Sequence, residues 1–190
     1  KGSTGQIMLI SGDATSGKGG DIDIRIGTGD SGAGGDLTLK AGNVNGDETT
    51  GGAFLVTTGY SFRTTSGRLS LESANAGEEG VSGMVSLKSG TTSMGSSGMM
   101  LFETGEARLG SGGDIVASVG TGDSGNGGDV LFIAGETTRK AAVGGAVHIA
   151  AGLGSNPSRI SGGSGGEIKL TGGEGRGGGK NDLGGDVSVQ

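Results

Sequence analysis

Residues 27–36 read GTGDSGAGGD and residues 120–129 read GTGDSGNGGD, two nearly identical phrases whose starts lie 93 positions apart. Each is followed by a run in which apolar or small residues alternate with others: Leu37, Leu39 and Ala41 after the first, Val130, Phe132 and Ala134 after the second. Alternation of period two, bounded by glycines, is the pattern of a half-buried β-strand. A cluster of Gly, Ser and Asp between two such runs has the chemistry of a tight turn. The phrase therefore reads as a joint between strands.

The same ruler runs through the whole chain. Aligned on the second glycine of GGD, the register glycines are Gly5, Gly20, Gly35, Gly52, Gly67, Gly83, Gly98, Gly113, Gly128, Gly145, Gly166 and Gly185. Their spacing is mostly 15, is 16 or 17 at three places, and widens to 21 and 19 near the end. Two residues past each stands an apolar side chain: Ile7, Ile22, Leu37, Phe54, Leu69, Val85, Met100, Ile115, Val130, Val147, Ile168 and Val187. Two further on come Leu9, Ile24, Leu39, Val56, Leu71, Leu87, Phe102, Ala117, Phe132, Ile149, Leu170 and Val189. The third alternate position is small or modest, from Ser11, Ile26 and Ala41 through to Gly172. Glycine then closes the run in ten of eleven complete units, Ala74 being the exception. Intervening positions such as Asp23, Arg25, Thr38 and Lys40 read as a solvated face, and no segment has helical spacing.

One such unit cannot cover its own apolar face, so order has to come from neighbours in an array. The expected class is all-β: a glycine-rich parallel β-solenoid of about twelve strand-plus-turn units, each ~15 residues long, with rungs ~4.8 Å apart. The alternative is a stacked antiparallel β-sandwich or meander, because joints of seven to nine residues also make hairpins. Either way residues 1–190 form a single repeat array, with one or two strands per turn left open. The chain opens on Lys1 and stops mid-pattern at GGDVSVQ, so the expectation is a section of a longer protein.

Composition narrows the function classes. Forty-nine of 190 residues are glycine and Pro157 is the one proline, which excludes collagen and polyproline helices. With four Phe, one Tyr and no Trp, a core of large interlocking side chains is not expected. There is no cysteine and hence no disulfide. A formal charge of −6 with scattered Lys and Arg argues against a nucleic-acid partner. No apolar run approaches the roughly 18–20 residues of a membrane-spanning helix.

Motifs that carry chemistry fail on their context. GDATSGKGG at 12–20 places Gly12, Gly17 and Lys18 as in a phosphate-binding loop, but Gly19 stands where Ser or Thr would hold magnesium, and a strand pattern follows instead of a helix. GDSG resembles the surroundings of a serine nucleophile, yet the single histidine, His148, falls on the outward face of a run. Catalytic and cofactor-binding residues are therefore expected to be none, and no cofactor is implied. Hard cations want several carboxylate and carbonyl oxygens. The acids that recur around the joints, Asp30, Asp36, Asp123 and Asp129, are the calcium candidates against a reading as turn-stabilising side chains. Outward Thr38, Thr57 and Thr171 are too isolated for an ice-binding array. No N-glycosylation sequon occurs, because Asn156 is followed by Pro157.

Some runs are apolar on both faces: IMLI at 7–10, FLV at 54–56, MMLF at 99–102 and VLFIA at 130–134. The outer members lie under another part of the same chain, or Met8, Ile10, Leu55, Leu101, Leu131 and Ile133 form a lateral contact with another subunit.

The repeat itself, GGDLTLKAG, SGMVSLKSG and GGAVHIAAG, resembles the glycine-rich tandem arrays of surface and filament proteins of algae and other protists and of viral fibres. That resemblance covers nearly the whole chain and implies a long, non-catalytic structural element, extracellular or on a cell or virion surface. The expected function is to form or line an extracellular filament or fibre shaft, with self-association or other filament subunits as partners. The alternative is an adhesin or viral tail-fibre module that recognises a surface glycan.

Overall fold

The computed structural model describes residues 4–46, 49–179 and 182–189. Among these residues there is no strand and no helix. This overturns the expected all-β class in both forms, the parallel β-solenoid of about twelve ~15-residue units and the antiparallel sandwich or meander. The chain is coil punctuated by bends.

The physical reason lies in where the backbone hydrogen bonds go. A sheet needs a row of N–H···O=C bonds between neighbouring runs about 4.8 Å apart. Here the backbone bonds among the described residues sit inside the joints, such as Gly52 N to Gly42 O and Gly67 N to Gly59 O, each at 2.9 Å. One bond pairs the two ends of a joint and the pairing stops there. With glycine at 49 of 190 positions, ordering further runs costs more backbone entropy than two aliphatic side chains per run offset.

By contact the chain divides into two units, Lys1–Gly95 and Ser96–Gln190. In the first, the backbone bends sharply at 15–17, 30–32, 46, 62–64, 78–80 and 93–95. In the second it bends at 108–110, 123–125, 139–141, 159–161 and 178–179. Every bend falls in a joint and begins ten to fourteen residues after a register glycine. Between bends, the alternating runs pass without a sharp change of direction.

The two echoing phrases adopt one geometry. In both, the bend is Asp-Ser-Gly, with its third residue in the left-handed region: Gly32 at φ 80° and Gly125 at φ 75°. A residue with a Cβ is strained there, which explains why glycine stands at this place in both copies. Ala141 occupies the same third place of the 139–141 turn at φ 60° without that freedom, and Leu109 holds φ 60° inside the 108–110 bend.

No hydrophobic or polar residue is buried among those described. The residues that are partly covered are Ala41, Thr58, Ser61, Ser73, Ala134, Gly154 and Gly172. Five of these seven (Ala41, Thr58, Ser73, Ala134 and Gly172) occupy the third alternate position of the repeat.

Candidate functional site: glycine necks and open apolar columns

The third position faces the next register glycine across the neck of the joint, and five of its eleven residues are partly covered. A Cβ placed on Gly20 would lie 3.4 Å from Ser11 Cβ, and one on Gly52 would lie 3.5 Å from Ala41 Cβ. The same approach recurs at Gly83 and Ser73 (3.5 Å), Gly145 and Ala134 (3.4 Å), and Gly166 and Ala151 (3.5 Å). At three of the four β-branched partners the space closes further, the exception being Gly113 against Thr104 Cγ2 at 3.6 Å. The distance falls to 3.3 Å for Gly67 against Thr58, 3.0 Å for Gly128 against Val119 Cγ1, and 2.7 Å for Gly35 against Ile26 Cγ2. Register glycine and third residue are therefore two halves of one contact, tightest where Ile26 and Val119 face Gly35 and Gly128.

Five necks are also closed by a backbone hydrogen bond. The register glycine donates to the glycine that ended the previous run: Gly52 to Gly42, Gly67 to Gly59, Gly145 to Gly135, Gly166 to Gly152 and Gly185 to Gly173, all at 2.8–2.9 Å. The other six necks lack this bond: five follow a run that ends on glycine, and the sixth follows Ala74. A recess of about 410 Å³ lies beside it, lined by Glu72, Ser73, Ala74 and Asn75. These are four consecutive residues, so the recess is a crease in one stretch of chain.

The side chains of the two apolar repeat positions are exposed throughout. In one run Phe54 and Val56 are 62% and 58% exposed while Leu55 between them is 86% exposed. In another, Val85 and Leu87 are 56% and 61% exposed beside Met84 at 87%. The six residues expected at a lateral contact, Met8, Ile10, Leu55, Leu101, Leu131 and Ile133, are 65–86% exposed, and no part of the described chain buries them.

Charged side chains stay in solvent and pair locally. Lys18, from the phosphate-loop-like phrase, is engaged by Asp21 at 2.7 Å. Arg25 pairs with Asp23, and Arg176 with Glu174 at 3.0 Å. Asp30, Asp36, Asp123 and Asp129 are exposed, and Asp30 Oδ1 accepts from Ser31 Oγ at 3.4 Å. Among the described residues no three His, Asp or Glu side chains converge on a point where a metal ion would sit. His148 is exposed. No helix among the described residues is long and apolar enough to cross a membrane.

Sequence reasoning identified the register glycines and the modest third position but not that they touch. Their near-constant separation along the chain was the available signal. It also passed over Leu109 and Ala141, because an ordinary residue at positive φ leaves no mark in composition. Comparison with protein-family models, with curated proteins and with solved structures finds no match.

Proposed function

We propose that this chain is a non-catalytic structural repeat protein that self-associates to form or line an extracellular filament or fibre shaft. The observation that carries this reading is the pair of apolar columns, recurring in twelve register units and left open along the described chain. Covering a Leu, Ile or Phe side chain that stands in water is worth roughly 1.5–3 kcal/mol. A chain that repeats such side chains without burying them gains most by laying them against other copies. The extracellular setting rests on the resemblance of the repeat to surface and filament arrays. Purified protein examined by sedimentation velocity and negative-stain electron microscopy should show large assemblies. A strictly monomeric species without filaments overturns the proposal.

A second reading, glycan recognition by an adhesin-like module, is favoured by the two longest joints. The ends of both are joined by a 2.9 Å neck bond, Gly166 to Gly152 and Gly185 to Gly173, and the first presents residues 153–165 as a closed loop. Scrambling 153–164 abolishes glycan-array binding under this reading and has no effect on a shaft.

A further inference from the structure

We infer that Asn126 is a site of spontaneous covalent modification, its side-chain amide converted to a carboxylate through a cyclic imide closed by the backbone nitrogen of Gly127. The reaction needs an asparagine whose following residue has a free N–H and no side chain in the path of attack. Asn126 is exposed and immediately follows the 123–125 bend. Beyond its chain neighbours, no atom lies within 4 Å of where a Gly127 Cβ would be. Among the described residues none accepts a hydrogen bond from the Gly127 nitrogen. Other asparagines are worse placed: Asn75 precedes Ala76, Asn43 precedes Val44, and Asn156 precedes Pro157, which has no N–H. Asn45 also precedes a glycine, but its flank is less open, because a Cβ on Gly46 would meet Thr49 Oγ1 at 3.9 Å.

The steps balance without oxidant or reductant. Gly127 N gives its proton to solvent and bonds to Asn126 Cγ, the Cγ–Nδ2 bond breaks, and ammonia leaves with a proton taken from water. Water then adds to the imide. Opening of the new Cγ–N bond leaves an aspartate at 126, whereas opening of the original backbone C–N bond leaves isoaspartate, with the main chain rerouted through the former side chain. The isoaspartate route adds a backbone carbon just before Gly127, one residue ahead of Gly128, where a Cβ would already sit 3.0 Å from Val119 Cγ1. Either route sets a new negative charge between Asp123 and Asp129. The twin joint is a built-in control, because Ala33 replaces the asparagine while Gly32 keeps the same left-handed bend.

The test incubates the full chain at neutral and mildly basic pH and follows it by peptide mapping and isoelectric focusing. Conversion at Asn126 should outrun that at Asn75 by about tenfold or more, since a freely approaching nucleophile removes at least that much of the barrier. It should rise with pH, yield aspartate and isoaspartate together, and generate an acidic band. Gly127→Ala should slow it, and Asn126→Ala should remove the acidic band. Asn126 surviving as long as Asn75, or a Gly127→Ala protein converting at the original rate, overturns the inference.

Discussion

Leu109 and Ala141 sit at φ 60°, where the Cβ of an L-residue crowds its own backbone, at a cost of about 1–2 kcal/mol. Gly32 and Gly125 meet a similar demand without that cost. Ala141→Gly should therefore favour the 139–141 turn and, with it, the neck bond from Gly145 N to Gly135 O. A gain of about 1 kcal/mol appears as roughly fivefold slower hydrogen exchange at the Gly145 amide. Faster exchange would contradict the strain argument. The ion pairs are a different matter. Lys18 and Asp21 are more than three-quarters exposed, so Lys18→Ala should leave local exchange rates almost unchanged, as solvent-screened pairs contribute little.

At the level of the element, the neck is the unit that orders the chain. Gly35→Ala would drive a methyl group into Ile26 Cγ2 and should open that neck, costing about 1–3 kcal/mol as other over-packed contacts do. Ile26→Ala on the same background should restore it, whereas Gly83→Ala, with 3.5 Å to Ser73 Cβ, should be tolerated. Nuclear Overhauser contacts between residues 26 and 35 report both outcomes. Much of this element was legible in advance. Glycine in GGD, an apolar pair beyond it and a small third residue were all readable, and the bends fall in the joints so marked. The ladder was not legible. Period-two alternation records which side of a non-helical chain a side chain takes, whereas a strand also needs a partner's N–H and C=O groups at bonding distance. Leu37 and Leu39 alternate with Thr38 and Lys40 whether or not such a partner exists.

For the whole molecule, the decisive property is an apolar inventory without an interior. If other copies cover the columns, Leu37→Ser with Leu39→Ser should reduce assembly measured by sedimentation, and Leu131→Ser with Ile133→Ser should do so if the outer face takes part. An assembly held by apolar contact also weakens on cooling, so light scattering should fall as the temperature is lowered and recover on rewarming. Scattering that rises on cooling would point to polar contacts instead. How the candidate site works was less legible than where its residues stand, because Met8, Leu55 and Leu131 advertise exposure through alternation while the identity of whatever meets them is written on another surface. The necks carry one more implication. Closure stays at 2.9 Å whether seven residues separate the paired glycines, as between Gly59 and Gly67, or thirteen, as between Gly152 and Gly166. Excursion length is thus uncoupled from closure of the neck. Foreign peptides spliced at the tips of such loops would be carried without opening the bond at their base.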